Sequence, residues 1–272
     1  MLPAAFLALA AAFQAEWREV PPENLLLMDT DQGEVVILLS EHLAQDHVAQ
    51  LRTLAREGFY NDLSFYRVIE SFVAQGGDFT DQKDKGSAKD TLAAEFEEAL
   101  PENAPFAPLG MSDGYAEEAG FIGPHEAGRD LESGTVWLTH CAGAFAFARS
   151  DEPDSAGAEF YITLQPQRYL DRNLTVAGKV IDGMTAIQKM PRGVIDDDPK
   201  TNDFTERGRI HGVTLASDLP PKRRPRYEVM DTQSAAFVDV IERKKARPEP
   251  FFVHRPNHVD LCQVGVPVRK ID

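Results

Sequence analysis

Cysteine is scarce in this chain: 272 residues hold only Cys141 and Cys262. A pairing across core and tail is open to them in an oxidising compartment. We read them instead as two separate, mostly buried thiols. Positive charge is also short, with 28 Lys and Arg against 44 Asp and Glu, a net charge of −16. That balance excludes nonspecific attraction to nucleic acid or anionic lipid. Long apolar runs are missing beyond the first residues, and the opening MLPAAFLALAAAFQA is too short to span a bilayer. No Gly-rich loop leads from a strand into a helix to cradle a phosphate, and there is no internal repeat. The seven histidines form no metal set. His254 and His258 stand four apart, but Pro256 disfavours a shared helix face. Asp196, Asp197, Asp198 and Asp203 lack a calcium-loop spacing and read as a solvated acidic loop. His140-Cys141 is no nucleophilic pair, since neighbours in a strand point apart. No metal and no cofactor are therefore expected.

What is present fits an ordinary globular protein, 43% hydrophobic and 26% charged. Residues 1–15 form an apolar stretch of signal-peptide length, with alanine-rich cleavage sites near Ala12 or Ala15. The stretch is expected to direct the chain to the periplasm or out of the cell, leaving no stable membrane insertion after cleavage. Residues 220–272 carry a net charge of +4 on a body of −20, which marks them as a basic C-terminal extension.

Strand character recurs in short runs: Leu25–Met28, Val35–Leu39, Leu63–Ile69, Phe72–Gln75, Thr135–Leu138, Ala144–Ala148, Glu159–Leu164, Thr175–Val180 and Arg209–Leu215. Helical spacing appears over Leu43–Arg56, with Val48, Leu51 and Ala55 on one face, and over Met184–Met190 after Gly183. Many short strands with two helices predict a mainly β fold, a barrel or a sandwich. From Gln82 to Ser133 the pattern is loose and predicts long loops with short local elements. Past Leu219, Pro220–Pro225 reads as a stiff basic linker. Asp231 then stands where a helix to Arg247 begins, with Phe237, Val240 and Ile241 on one face. The Pro-rich end has no period. This extension is open to three fates: packing on the body, binding a partner or disorder.

The run Phe65-Tyr66-Arg67-Val68-Ile69-Glu70-Ser71-Phe72-Val73-Ala74-Gln75-Gly76-Gly77-Asp78-Phe79 puts an arginine between apolar strand residues, a costly place without a partner or a task. A second block runs Phe147-Ala148-Arg149-Ser150-Asp151-Glu152-Pro153-Asp154-Ser155-Ala156-Gly157-Ala158-Glu159-Phe160-Tyr161-Ile162 and continues through Tyr169-Leu170-Asp171-Arg172-Asn173. Together, in this order, the two blocks resemble the cyclophilin-type peptidyl-prolyl cis-trans isomerases in their bacterial form. The resemblance covers residues 24–216, with a long insertion at about 97–133.

The resemblance implies a closed eight-stranded antiparallel barrel capped by two helices, followed here by the C-terminal extension. It implies catalysis of X–Pro bond rotation without a metal or organic cofactor. The expected partners are unfolded or partly folded polypeptides containing proline, and no nucleic acid. It implies that Arg67 is the catalytic donor and that Gln75 orients it. Phe72, Val73, Tyr161 and Leu170 would form the proline pocket, Ala148 and Arg149 would line the flanking groove, and Tyr169 stands where many members carry tryptophan. Glu159 replaces the family's usual glutamine and Leu174 its groove histidine. Glu159 is expected to face the groove and to pair with Arg67 or Arg149, weakening catalysis, so that Glu159→Gln would raise the rate. A non-catalytic barrel that holds proline-containing segments is the alternative reading.

Overall fold

The computed structural model describes residues 16–192 and 207–271. The proposed leader and the acidic residues Asp196, Asp197, Asp198 and Asp203 lie outside them. Eight antiparallel strands close a barrel in the order Ala144–Phe147, Phe160–Thr163, Val73–Gly77, Ser64–Val68, Gly208–Leu215, Leu25–Thr30, Gly33–Leu39 and Val176–Asp182, which returns to the first. Closure leaves the barrel without a free edge.

The first hairpin shows why the chain folds this way. Thr30 pairs with Gly33 across Asp31-Gln32, and the Thr30 hydroxyl donates to the Gly33 carbonyl at 2.6 Å. On its two strands, Leu26, Met28, Val35, Ile37 and Leu39 fill the barrel interior. Leu25, Leu27, Val36 and Leu38 point outward, yet they too are buried, against Val20, Tyr227 and Val229. Both faces are covered, so both strands are apolar at nearly every position.

The Gln45–Arg56 helix lays Val48, Leu51 and Leu54 into the interior cluster. Its first turn lacks a side-chain cap of its own. Carboxylates from a distant loop serve instead: Glu98 accepts from the Ala44 amide, and Glu95 from the amides of Asp46 and His47. The Met184–Gln188 helix adds Ala186 and Ile187 to the same core.

Two regions depart from the loops and linker expected of them. Within Gln82–Ser133, four strands (Glu98–Ala99, Phe106–Pro108, Glu118–Ile122 and His125–Arg129) join Thr135–Leu138 in a five-stranded antiparallel sheet. Its strands are short and rich in Gly, Ala and Glu, which hides their alternation.

The C-terminal extension is also ordered and packed. Its strands Arg226–Met230 and Val268–Ile271 form a small sheet with Trp17–Glu19 over the outside of the first hairpin. Its helix Ala235–Ala246 sets Phe237 and Ile241 against Phe121 of the five-stranded sheet. Ser234, not Asp231, caps this helix by accepting from the Phe237 amide. The Pro220–Pro225 segment is held to the body, since Arg224 donates to the carbonyls of Ser217 and Leu219. Cys141 and Cys262 form a disulfide across this interface and are not separate thiols. The two lie 121 residues apart in sequence, where spacing gives no guide to pairing.

Candidate active site

A β-bulge explains the arginine in the apolar strand. Phe65 pairs with Gly76 and Arg67 with Gln75, so Tyr66 and Arg67 together oppose a single step of the partner strand. Strict alternation would send Arg67 into the core beside Phe65. The extra residue turns both Tyr66 and Arg67 to the outer face, while Phe65 and Val68 stay fully inside. On that face Arg67 Nη1 donates to Gln75 Oε1 at 2.9 Å, and Gln75 Nε2 donates to the Tyr66 hydroxyl at 2.6 Å. The arginine is thus aimed by a glutamine that is itself held.

The neighbouring strand supplies the next wall. Tyr161 pairs with Gln75, and Phe160 and Ile162 on either side of it point inward to the core. Tyr161 therefore faces outward with Val73, against Phe72, Ala148, Leu170 and Leu174. Arg67, Phe72, Val73, Gln75, Ala148, Arg149, Tyr161, Leu170 and Leu174 line one cavity of about 200 Å³. The Arg67 guanidinium carbon stands 5.8 Å from the centre of the Phe72 ring. The cavity is an apolar cup with two cations at its rim, Arg67 and Arg149. Arg149 is tied down at its edge, donating to the carbonyls of Asn173, Ser150 and Asp151.

Two expected residues lie outside this cavity. Tyr169 is 59% exposed and lines none of this cavity. Glu159 faces an adjoining cavity of about 790 Å³ that shares only Gln75, Ala148 and Arg149 with the first. No ion pair joins Glu159 to Arg67 or Arg149 among the described residues. Its carboxyl sits beside the Tyr66 hydroxyl and above Gly77, where a Cβ would collide with Oε1. Gly76 and Gly77 end the Val73–Gly77 strand, and Gly77 leaves room for that carboxyl. Glu159 Oε2 is buried without a partner. Burial raises the Glu159 pKa to about 7, with the Asp78 charge adding to the rise and Tyr66 opposing it. Burial first, and Glu159 next, push the Tyr66 hydroxyl well above its ordinary value.

Leu174 lines the cavity, at the position where the resemblance sets a groove histidine. One residue beside the site carries no sequence signal of its own. His140, fully buried beyond the end of the Thr135–Leu138 strand, reaches the Tyr161 hydroxyl with Nε2 at 2.9 Å. An isolated His-Cys pair does not announce that contact.

Comparison with known proteins fits this geometry. The family described as cyclophilin type peptidyl-prolyl cis-trans isomerase/CLD matches residues 25–214. A probable peptidyl-prolyl cis-trans isomerase of Brucella suis biovar 1 (strain 1330) is 32% identical over 191 residues, covering 70% of this chain and 83% of that protein. A peptidyl-prolyl cis-trans isomerase-like 1 of Aspergillus niger is 27% identical over 187 residues, covering 69% and 88%. The crystal structure of cyclophilin AquaCyp293 from Hirschia baltica superposes with a TM-score of 0.77 at 26% identity, covering 93% of each chain. That last match extends past the family segment into the added layers. The chain belongs to the cyclophilin-type peptidyl-prolyl cis-trans isomerases. Its reaction is rotation of the peptide bond before proline.

Proposed function

We propose that the chain accelerates folding of proline-containing polypeptides in the periplasm or outside the cell, with Arg67 as its catalytic donor. One observation carries the site assignment: a guanidinium, aimed by Gln75, stands over an apolar cavity of about 200 Å³. X–Pro rotation is slow because amide resonance must be broken, at a barrier of about 18–20 kcal/mol. No covalent bond need form. As the bond twists, the proline nitrogen becomes pyramidal and gains a lone pair. Arg67 donates to that lone pair, an interaction absent in the planar ground state. Phe72, Val73, Tyr161 and Leu170 hold the pyrrolidine ring, and their apolar surface excludes water that would stabilise the planar amide.

The Cys141–Cys262 disulfide supports an oxidising compartment, as does the apolar leader at residues 1–15. Refolding of a denatured protein whose slow phase is limited by X–Pro isomerisation tests the assignment. The wild-type chain is expected to accelerate that phase, and Phe72→Ala, which opens the cavity, to reduce the acceleration. A wild type that leaves the slow phase unchanged would reduce the chain to a module that only holds proline segments.

A further inference from the structure

The wall of the cavity opposite Arg67 rests on a buried polar chain. Tyr161, 5% exposed, meets His140 Nε2 through its hydroxyl at 2.9 Å. His140 Nδ1 meets Asp171 Oδ1 at 2.9 Å, and the same oxygen accepts from the His140 amide at 2.8 Å. Asp171 Oδ2 accepts from Arg168 Nε. Arg168 then makes a two-pronged contact to Asp113, with Nη1 to Oδ2 and Nη2 to Oδ1, each at 3.0 Å. The side chains of Arg168, Asp171 and Asp113 are 6%, 4% and 4% exposed. Asp113 lies between the Phe106–Pro108 and Glu118–Ile122 strands, in the long insertion.

The chemistry of the chain sets its direction. A carboxylate only accepts, so Asp171 requires the proton on His140 Nδ1. In the neutral imidazole Nε2 is then an acceptor, and the Tyr161 hydroxyl donates to it, away from the cavity. The ring presents an apolar face to the cup, and its tilt is fixed at the far end. The same links hold the Arg168–Leu170 turn. Gln167 donates from its amide to the His140 carbonyl at 2.7 Å and from Nε2 to the Ser71 carbonyl at 2.8 Å, beside Phe72. Leu170 follows two residues after Arg168, so the Asp113 clamp also sets the Leu170 wall.

We propose that Asp113, Arg168, Asp171 and His140 are positioning residues for the proline cavity, through which the inserted sheet fixes Tyr161 and Leu170. This rests on the assignment of that cavity to proline. None of the four touches substrate, so the expected loss is in binding rather than in the chemical step.

Isomerisation of a short X–Pro peptide by the full chain separates the possibilities. Asp113→Ala, remote from the cavity, is expected to raise KM about fivefold with kcat within about twofold. Asp113→Glu is expected to restore KM in part, because it returns a carboxylate to Arg168. Tyr161→Phe is expected to raise KM similarly, and the double variant Asp113→Ala/Tyr161→Phe no further, since both act through one ring. Should Asp113→Ala fold poorly by circular dichroism, Asp113→Asn keeps the shape and takes its place. An unchanged KM in the Asp113 variants, or fully additive effects, overturns the proposal. Arg67→Ala is the control: if it remains active, the site assignment itself fails; if it is inactive while KM is unmoved in the Asp113 variants, only the positioning role fails.

Discussion

Arg67 reaches the outer face of an apolar strand through the bulge at Tyr66, and Gln75 aims it there. A bulge depends on the register of two strands, which a single strand's alternation does not encode. The same limit affected Glu159. Glu159 faces the groove with Ala148 and Arg149, as expected, but it pairs with neither Arg67 nor Arg149 and sits beside Tyr66 and Asp78. With no ion pair to release, Glu159→Gln is expected to leave the isomerisation rate at or below the wild-type level, and a several-fold rise would contradict the observed separation. Its effect lies in stability instead. Because the folded carboxyl titrates near 7 and an ordinary glutamate near 4.5, the folded state binds the proton more tightly. Its contribution to stability is complete below pH 4.5 and is lost as pH rises through about 7. Denaturant titrations of wild type and Glu159→Gln from pH 4 to 8 should therefore show the variant gaining relative stability as pH rises. Parallel curves would place the carboxyl in an ordinary environment.

Among the elements, the barrel strands were legible within a residue or two, since β-branched and aromatic runs broken by turn residues mark them well. Their outer faces carried a signal with further meaning. Leu25–Met28 and Val35–Leu39 do not alternate, and an outer face exposed to water would have made them do so. The missing polar positions are the imprint of the C-terminal sheet. Of the inserted sheet only Thr135–Leu138 is legible, because strands such as His125–Arg129 use Gly and Ala where Trp137 packs close: a Cβ on Gly128 would meet the indole at 2.6 Å. The C-terminal helix attaches to this sheet through Phe237, fully buried edge-to-face on Phe121 with ring centroids 4.9 Å apart. Phe237→Ala is expected to cost about 3–5 kcal/mol in denaturant unfolding. Phe251→Ala, at an 85% exposed position, should stay within about 0.5 kcal/mol. Equal effects would mean that the helix does not depend on this contact.

At the scale of the molecule, the chain is a closed barrel with a second sheet beside it and an extension wrapped across both. The disulfide ties the extension to the residue that follows His140, close to the catalytic face. It closes a loop of more than 100 residues, so Cys262→Ser or reduction is expected to cost about 3–5 kcal/mol. A melting temperature unmoved by reductant would show that packing alone holds the extension. The brace packs on the barrel, but the reaction turns on one side chain of the site, Arg67. The most direct measurement is kcat/KM for a short X–Pro peptide with wild type and Arg67→Ala, both verified as folded. The donor role of Arg67 predicts a loss of about 100-fold or more. A variant retaining wild-type kcat/KM would show that rotation proceeds without the guanidinium and would contradict the mechanism.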